Sequence, residues 1–215
     1  MTYSFRLDSS VVQVKKDAQE EFPVTYPDWF KYVDNLKARF YSDHGLSNSG
    51  EDAGLIRLPP FCTGISLQSD SASLEMTIPE QRKTVSFSPG RGETLQTFSI
   101  PFPRTRVNLK LRKEPKTGQF RFSHVTLWVM KDALGNTLVR MPFPNAYDNG
   151  TICYGDNAYD LRFPAKDLRE TFSYYSMYTD APFNSDLWRQ HGPYETVPQW
   201  LAYLSTLDTF PYEEI

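Results

Sequence analysis

The sequence predicts an α+β fold: an antiparallel β-meander with an N-terminal helix before it and C-terminal helices after it. Three observations carry this expectation. Residues 104–142 alternate apolar and polar side chains in runs broken by short turns, the pattern of strands with one buried face. The chain holds 13 Tyr and 15 Phe among 215 residues, with 16 Pro, a composition that favours strands and turns. Near the C-terminal side, Thr196-Val197-Pro198-Gln199 forms a capping-box pattern ahead of Trp200, Leu201, Leu204 and Leu207.

Along the chain, Tyr3 to Val14 reads as strand, and the charged run from Lys15 to Glu21 as a solvated face or loop. A helix is expected next. Thr25 and Asp28 resemble a cap, Pro27 suits a first turn, and Trp29, Val33, Leu36 and Phe40 recur at helical spacing. Residues 42–54 are polar and rich in Gly and Ser, as a loop would be. Short strands follow at Thr63–Gln68 and Ala72–Ile78, then Thr84–Ser88 and Leu95–Ile100 around the turn Ser88-Pro89-Gly90-Arg91-Gly92. Arg91 between two glycines fits an anion cradle, but a hairpin loop accounts for it more simply.

Within the meander, Val107, Leu109 and Leu111 alternate with Arg106, Asn108, Lys110 and Arg112. Val125, Leu127 and Val129 share one face of the next strand, while Thr126, Trp128 and Met130 make the other face largely apolar too. A strand apolar on both faces belongs in the middle of a sheet. Thr137–Met141 is a third, shorter strand, and neighbours joined by short turns pair antiparallel. Further on, Leu168, Phe172 and Tyr175 have helical spacing.

Charge and cysteine content exclude several classes of function. The formal net charge is −3, from 23 basic and 26 acidic residues, without the basic stripe of a nucleic-acid binder. Cys62 and Cys153 are the only cysteines, which makes neither a disulfide framework nor a zinc spacing. No apolar run approaches the ~20 residues that span a bilayer, and no signal-peptide pattern opens the chain. The expected location is the cytoplasm or the interior of a virion assembly, with no membrane contact and no secretion. His44, His124 and His191 are scattered, and Asp180, Asn184 and Asp186 lack the spacing of a calcium loop, so neither metal nor cofactor is expected. No P-loop, dinucleotide fingerprint or Gly-x-Ser-x-Gly occurs. The Tyr174–Asp186 stretch, rich in Tyr with Met177 and Phe183, suits a protein-binding surface or a loop packed on the sheet.

The chemistry concentrates in Pro142-Phe143-Pro144-Asn145-Ala146-Tyr147-Asp148-Asn149-Gly150-Thr151-Ile152-Cys153. The stretch leaves the meander, passes an Asn-Gly turn and ends on a thiol. An ordered loop can hold such a thiol still while leaving it open to a partner. Asn145, eight residues earlier, can fold back and offer an amide to a developing oxyanion. A second reading stands beside this one: Pro-Asn-x4-Gly as a rigid turn, with Cys153 filling an apolar gap.

With Pro144, Asn145, Gly150, Ile152 and Cys153 at these offsets, the segment resembles the active-site stretch of ubiquitin-conjugating enzymes. It is most similar to their divergent prokaryotic members of the PRTRC-system protein B type, through Pro144-Asn145-Ala146-Tyr147 and Cys153-Tyr154-Gly155. The close match covers about fifteen residues, and a looser match of strand order extends over residues 84–185. The length of 215 residues fits one domain over 1–215, and the resemblance implies a ubiquitin-conjugating-like core at 84–185, with an N-terminal extension at 1–83 and a C-terminal helical extension at 186–215. It implies Cys153 as the nucleophile that carries an acyl group as a thioester, and Asn145 as the oxyanion donor. Asp148 or Asp156 would assist the incoming amine, and a ubiquitin-like protein would be the partner. Phe143 stands where the family has histidine, and no Lys, Arg or His neighbours Cys153 in sequence. The alternative is a catalytically inactive module on the same scaffold, binding assembly subunits in a phage particle or mobile-element complex.

Overall fold

The computed structural model describes residues 3–7, 12–16, 20–24, 56–90, 93–132, 135–154 and 161–215. It is α+β, as expected, with eleven strands, nearly all antiparallel, followed by two short α-helices among the described residues. The helix expected over residues 25–40 and the loop over 42–54 lie outside the described residues, as do Arg91, Asp156 and His44.

The chain divides into two compact units, the first comprising Met1–Met76, Lys110–Ser123 and Asp160–Thr171. This unit is built on β1 (Tyr3–Leu7), β2 (Val12–Lys16), β3 (Glu20–Val24), β4 (Cys62–Leu67) and most of β5 (Ser71–Ile78). The later part of β8 (Thr105–Lys113), the opening of β9 (Phe120–Met130) and the short β11 (Arg162–Phe163) complete it. Its strand order is β9-β8-β5-β4-β1-β2-β3, with β11 paired to β9. Both ends of the charged run are strand. Lys15 and Lys16 end β2, Glu20 and Glu21 begin β3, and the register sets Lys15 opposite Glu21 and Lys16 opposite Glu20. In β5 the period-two pattern is complete, with Ala72, Leu74, Met76 and Ile78 buried and the residues between them partly exposed.

The second unit comprises Thr77–Leu109, His124–Tyr159 and Phe172–Ile215. Strands β6 (Gln81–Phe87) and β7 (Gln96–Phe102) form an antiparallel hairpin. The other parts of β8 and β9 lie in this unit, and β10 (Leu138–Arg140) pairs with β9 from Leu138↔Met130 to Arg140↔Trp128. This places β9 between β8 and β10, the central position its two apolar faces predict. Val107, Leu109, Val125, Leu127 and Val129 are all fully buried. Burying each such side chain is worth about 1.5–3 kcal/mol.

Helix α1 (Ser173–Asp180) follows a 3-10 turn at Arg169–Phe172, and α2 (Val197–Ser205) begins at the expected cap. Gln199 N donates to Thr196 Oγ1 at 3.4 Å, while Gln199 Oε1 accepts from Thr196 N at 3.1 Å. At the other end Arg82 donates to the Ser205 and Leu207 carbonyls, setting a cation on the negative end of the helix. The core of this unit is aromatic. Phe143 stacks on Phe102 at 4.8 Å and on Phe183 at 5.6 Å, and Trp200 and Phe210 are buried beside them. Among the described residues no helix is long and apolar enough to cross a membrane.

Candidate functional site

Residues 144–153 fold back on themselves as a narrow hairpin. Cys153 N donates to Asn145 O at 2.8 Å, Tyr147 N donates to Thr151 O at 2.8 Å, and Ala146 bridges Ile152. The turn is closed by Gly150, whose N–H donates to Tyr147 O at 3.0 Å. Gly150 has φ +77, a conformation that glycine alone adopts freely. Its missing Cβ also makes room for an indole: a Cβ there would lie 2.5 Å from Trp128 Cε2. Leu127 N donates to Gly150 O at 2.9 Å, so the hairpin is anchored to the central strand. Asn145 is thereby brought directly opposite Cys153.

Cys153 is exposed, so it does not fill an apolar gap. It lines a groove of about 870 Å³ with Asn145, Tyr147, Met177, Asp186 and Leu187. Tyr147 and Leu187 are exposed apolar groups on the rim, at 44% and 37%. Asn145 has φ +62, a left-handed conformation that asparagine tolerates better than most residues. Among the described residues its side-chain amide has no hydrogen-bond partner. The other cysteine contrasts with Cys153. Cys62 is partly buried, its Sγ contacts Gly64 O at 3.4 Å, and burial pushes its thiol up to about 11.

Support for the hairpin comes from three directions. Tyr178 Oη donates to Pro144 O at 3.1 Å, and Tyr154 Oη donates to Tyr174 O at 2.6 Å. Both phenols titrate well above the usual range, chiefly because they are buried. Arg140 donates through Nη2 to Ala146 O at 2.5 Å and to Leu187 O at 2.8 Å. Its Nε lies 3.3 Å from Asp148 Oδ1, an ion pair without hydrogen-bond alignment. Arg189 binds the other oxygen of Asp148. Asp148 is therefore held by two guanidinium groups.

Several sequence expectations change here. The Tyr174–Asp186 stretch is not an exposed aromatic surface: Tyr174, Tyr175, Tyr178 and Phe183 are all buried, so the packing account of these residues is the right one. Asn184 and Asp186 bond to each other, Asn184 Nδ2 donating to Asp186 Oδ2 at 3.0 Å. Phe143 is a core ring, 1% exposed. His124 is half-buried on β9, and His191 packs between Trp188 and Trp200, where burial lowers its pKa. Arg140 and Leu187 were not visible as site residues in the sequence. Among the described residues no cluster of three or more His, Cys, Asp or Glu is placed to hold a metal.

The comparisons with known proteins come out uniformly. No family model, curated protein or solved structure matches the chain. The reading of the site rests on its own geometry and on the short sequence resemblance.

Proposed function

We propose that the chain is a ubiquitin-conjugating-like protein that carries an acyl group as a thioester on Cys153. The supporting observation is an exposed thiol at the end of a braced hairpin, in a groove, with Asn145 paired against it. In the loading step the Cys153 thiolate attacks the carbonyl carbon of a donor thioester. A tetrahedral oxyanion forms, the donor thiolate leaves, and the acyl group stays on Cys153. A lysine amine then attacks and forms a C–N bond, the C–S bond breaks, and Cys153 departs as thiolate while the amine's proton passes to water. Asn145 donates its amide to the oxyanion in the second step, a contact whose loss costs ~3 kcal/mol of barrier. The partner class is a ubiquitin-like protein with an activated C-terminus.

A second reading, an assembly or interaction module without catalysis, is favoured by one observation. The left-handed φ of Asn145 gives asparagine a backbone reason to be there whatever its amide does. Against that reading, Cys153 is exposed and the Tyr-rich helix is buried, where an inert self-associating module calls for the reverse.

The test is to incubate folded protein with the C-terminal thioester of a Gly-ending peptide and analyse it intact, without reductant. The proposal expects a hydroxylamine-labile adduct on Cys153, absent from Cys153→Ala and kept in Cys62→Ser. In Asn145→Gly, which preserves the left-handed backbone, the adduct should form but turn over to amines ~10²-fold more slowly. An iodoacetamide-reactive Cys153 that accepts no acyl group would leave the assembly reading standing.

A further inference from the structure

Two walls of the groove come from distant parts of the chain, and Met177, Tyr178 and Ala181 line it as well. One wall is the 144–153 hairpin, which carries the thiol; the other is the segment from Asn184 to Leu187. Polar ties join them. Asn145 N donates to Asp186 O at 3.2 Å, and Arg189 reaches Asp148. Arg140, on β10, holds both walls through a single nitrogen, with one Nη2 hydrogen for Ala146 O and the other for Leu187 O. It also faces Asp148 at the hairpin tip.

What Arg140 holds in the second wall is a strained residue. Leu187 has φ +59, a left-handed conformation that costs an L side chain roughly 1–2 kcal/mol. The carbonyl that Arg140 binds is that of Leu187 itself, so the contact opposes relaxation of this residue to an extended conformation. Arginine suits the task because its planar fork presents fixed donors in two directions, which a lysine ammonium on a flexible stem does not. The side chain is 18% exposed, well shielded from competing water.

We propose that Arg140 is the positioning residue of the Cys153 groove, setting its width by locking the Leu187 wall to the hairpin that carries the thiol. The inference deepens the thioester reading, since it gives the acyl-carrying groove a fixed aperture. It is nevertheless tested without any acyl donor. Alkylation of Cys153 in folded protein would be followed by peptide mass spectrometry with two reagents: iodoacetamide, which is small, and a dye-coupled maleimide, which is bulky. The quantity read is the ratio of the two rate constants, compared between wild type and each variant.

In Arg140→Met the bulky reagent should gain severalfold on the small one, because the wall opens while the thiol stays in place. Arg140→Lys, which keeps the charge and protects folding, should show the same shift. Leu187→Asn placed in the Arg140→Met background should return the ratio towards wild type, since asparagine holds the left-handed conformation at lower cost. An unchanged ratio in either Arg140 variant, restoration by lysine, or an equal change in both rate constants would overturn the proposal. A wall-dependent ratio on a Cys153 that takes no acyl group would sink the thioester reading and leave the clamp intact. Acyl loading with an unchanged ratio would do the opposite.

Discussion

Replacing Gly150 with alanine tests how the thiol is presented. Two costs add at this position. The backbone has φ +77, and a Cβ there costs roughly 1–2 kcal/mol. The new methyl would also sit 2.5 Å from Trp128 Cε2 and 2.6 Å from Cζ2, which is closer than any real contact. Forcing a side chain into filled space costs about 1–3 kcal/mol. The turn cannot simply slide away, because Leu127 N holds Gly150 O at 2.9 Å. The expected destabilisation is therefore about 2–5 kcal/mol, read from urea unfolding followed by circular dichroism. A double-mutant cycle separates the two terms. In a Trp128→Ala background, which lacks those atoms, the steric part should vanish and the backbone part should remain. A cost below about 0.5 kcal/mol, or one that is the same in both backgrounds, would refute the reasoning.

Four further outcomes follow. Phe143→Ala removes the ring between Phe102 and Phe183 and should cost about 3–5 kcal/mol in urea unfolding. Phe143→His, the residue that the family resemblance leads one to expect, should also destabilise, because it buries an imidazole among phenyl rings at a cost of about 1–3 kcal/mol. The two thiols should differ sharply in alkylation across a pH series. Cys62, pushed up to about 11, presents roughly one thiolate in a thousand at pH 8, so Cys153 should react first. The sign for stability follows from the same shift. The folded state holds the Cys62 proton more tightly than the unfolded chain does. That contribution is complete below the unfolded value near 9 and is lost as pH rises through about 11. Cys62→Ser should flatten unfolding free energy against pH over that window.

The parts of the fold that were legible in the sequence are those fixed by near neighbours. The alternation in β8, the two apolar faces of β9 and the Thr196–Gln199 box each need only a short window, and each is found where the pattern put it. The opposition of Asn145 and Cys153 was also local, since an Asn-Gly turn sits between them. The strands at the two ends of the charged run were not legible, because Lys15-Lys16 and Glu20-Glu21 gain meaning only when a hairpin sets them opposite each other. The tyrosines at 174, 175 and 178 carried no local sign of which face would be covered. The second wall was illegible for a stronger reason: Arg140 reaches Leu187 across 47 positions, and no spacing rule announces a left-handed leucine. Asp148 looked like a free carboxylate because its partners, Arg140 and Arg189, lie on either side of it at a distance in sequence.

The ties made by residues 205–212 bear on how the protein comes into being. Arg82 on β6 reaches the carbonyls of Ser205 and Leu207, and Glu80 accepts from Phe210 N and from the Tyr212 hydroxyl. These partners lie 123 to 132 residues apart. Synthesis runs from the N-terminal side at about 5–20 residues per second, so β6 waits several seconds for them. During that interval the β6–β7 hairpin and the aromatic rings it will share with Phe143 and Phe210 have no finished core to enter. The thiol is in the same position, since its groove needs the 184–187 wall. The groove can acquire its final shape only once the residues of both walls have been made.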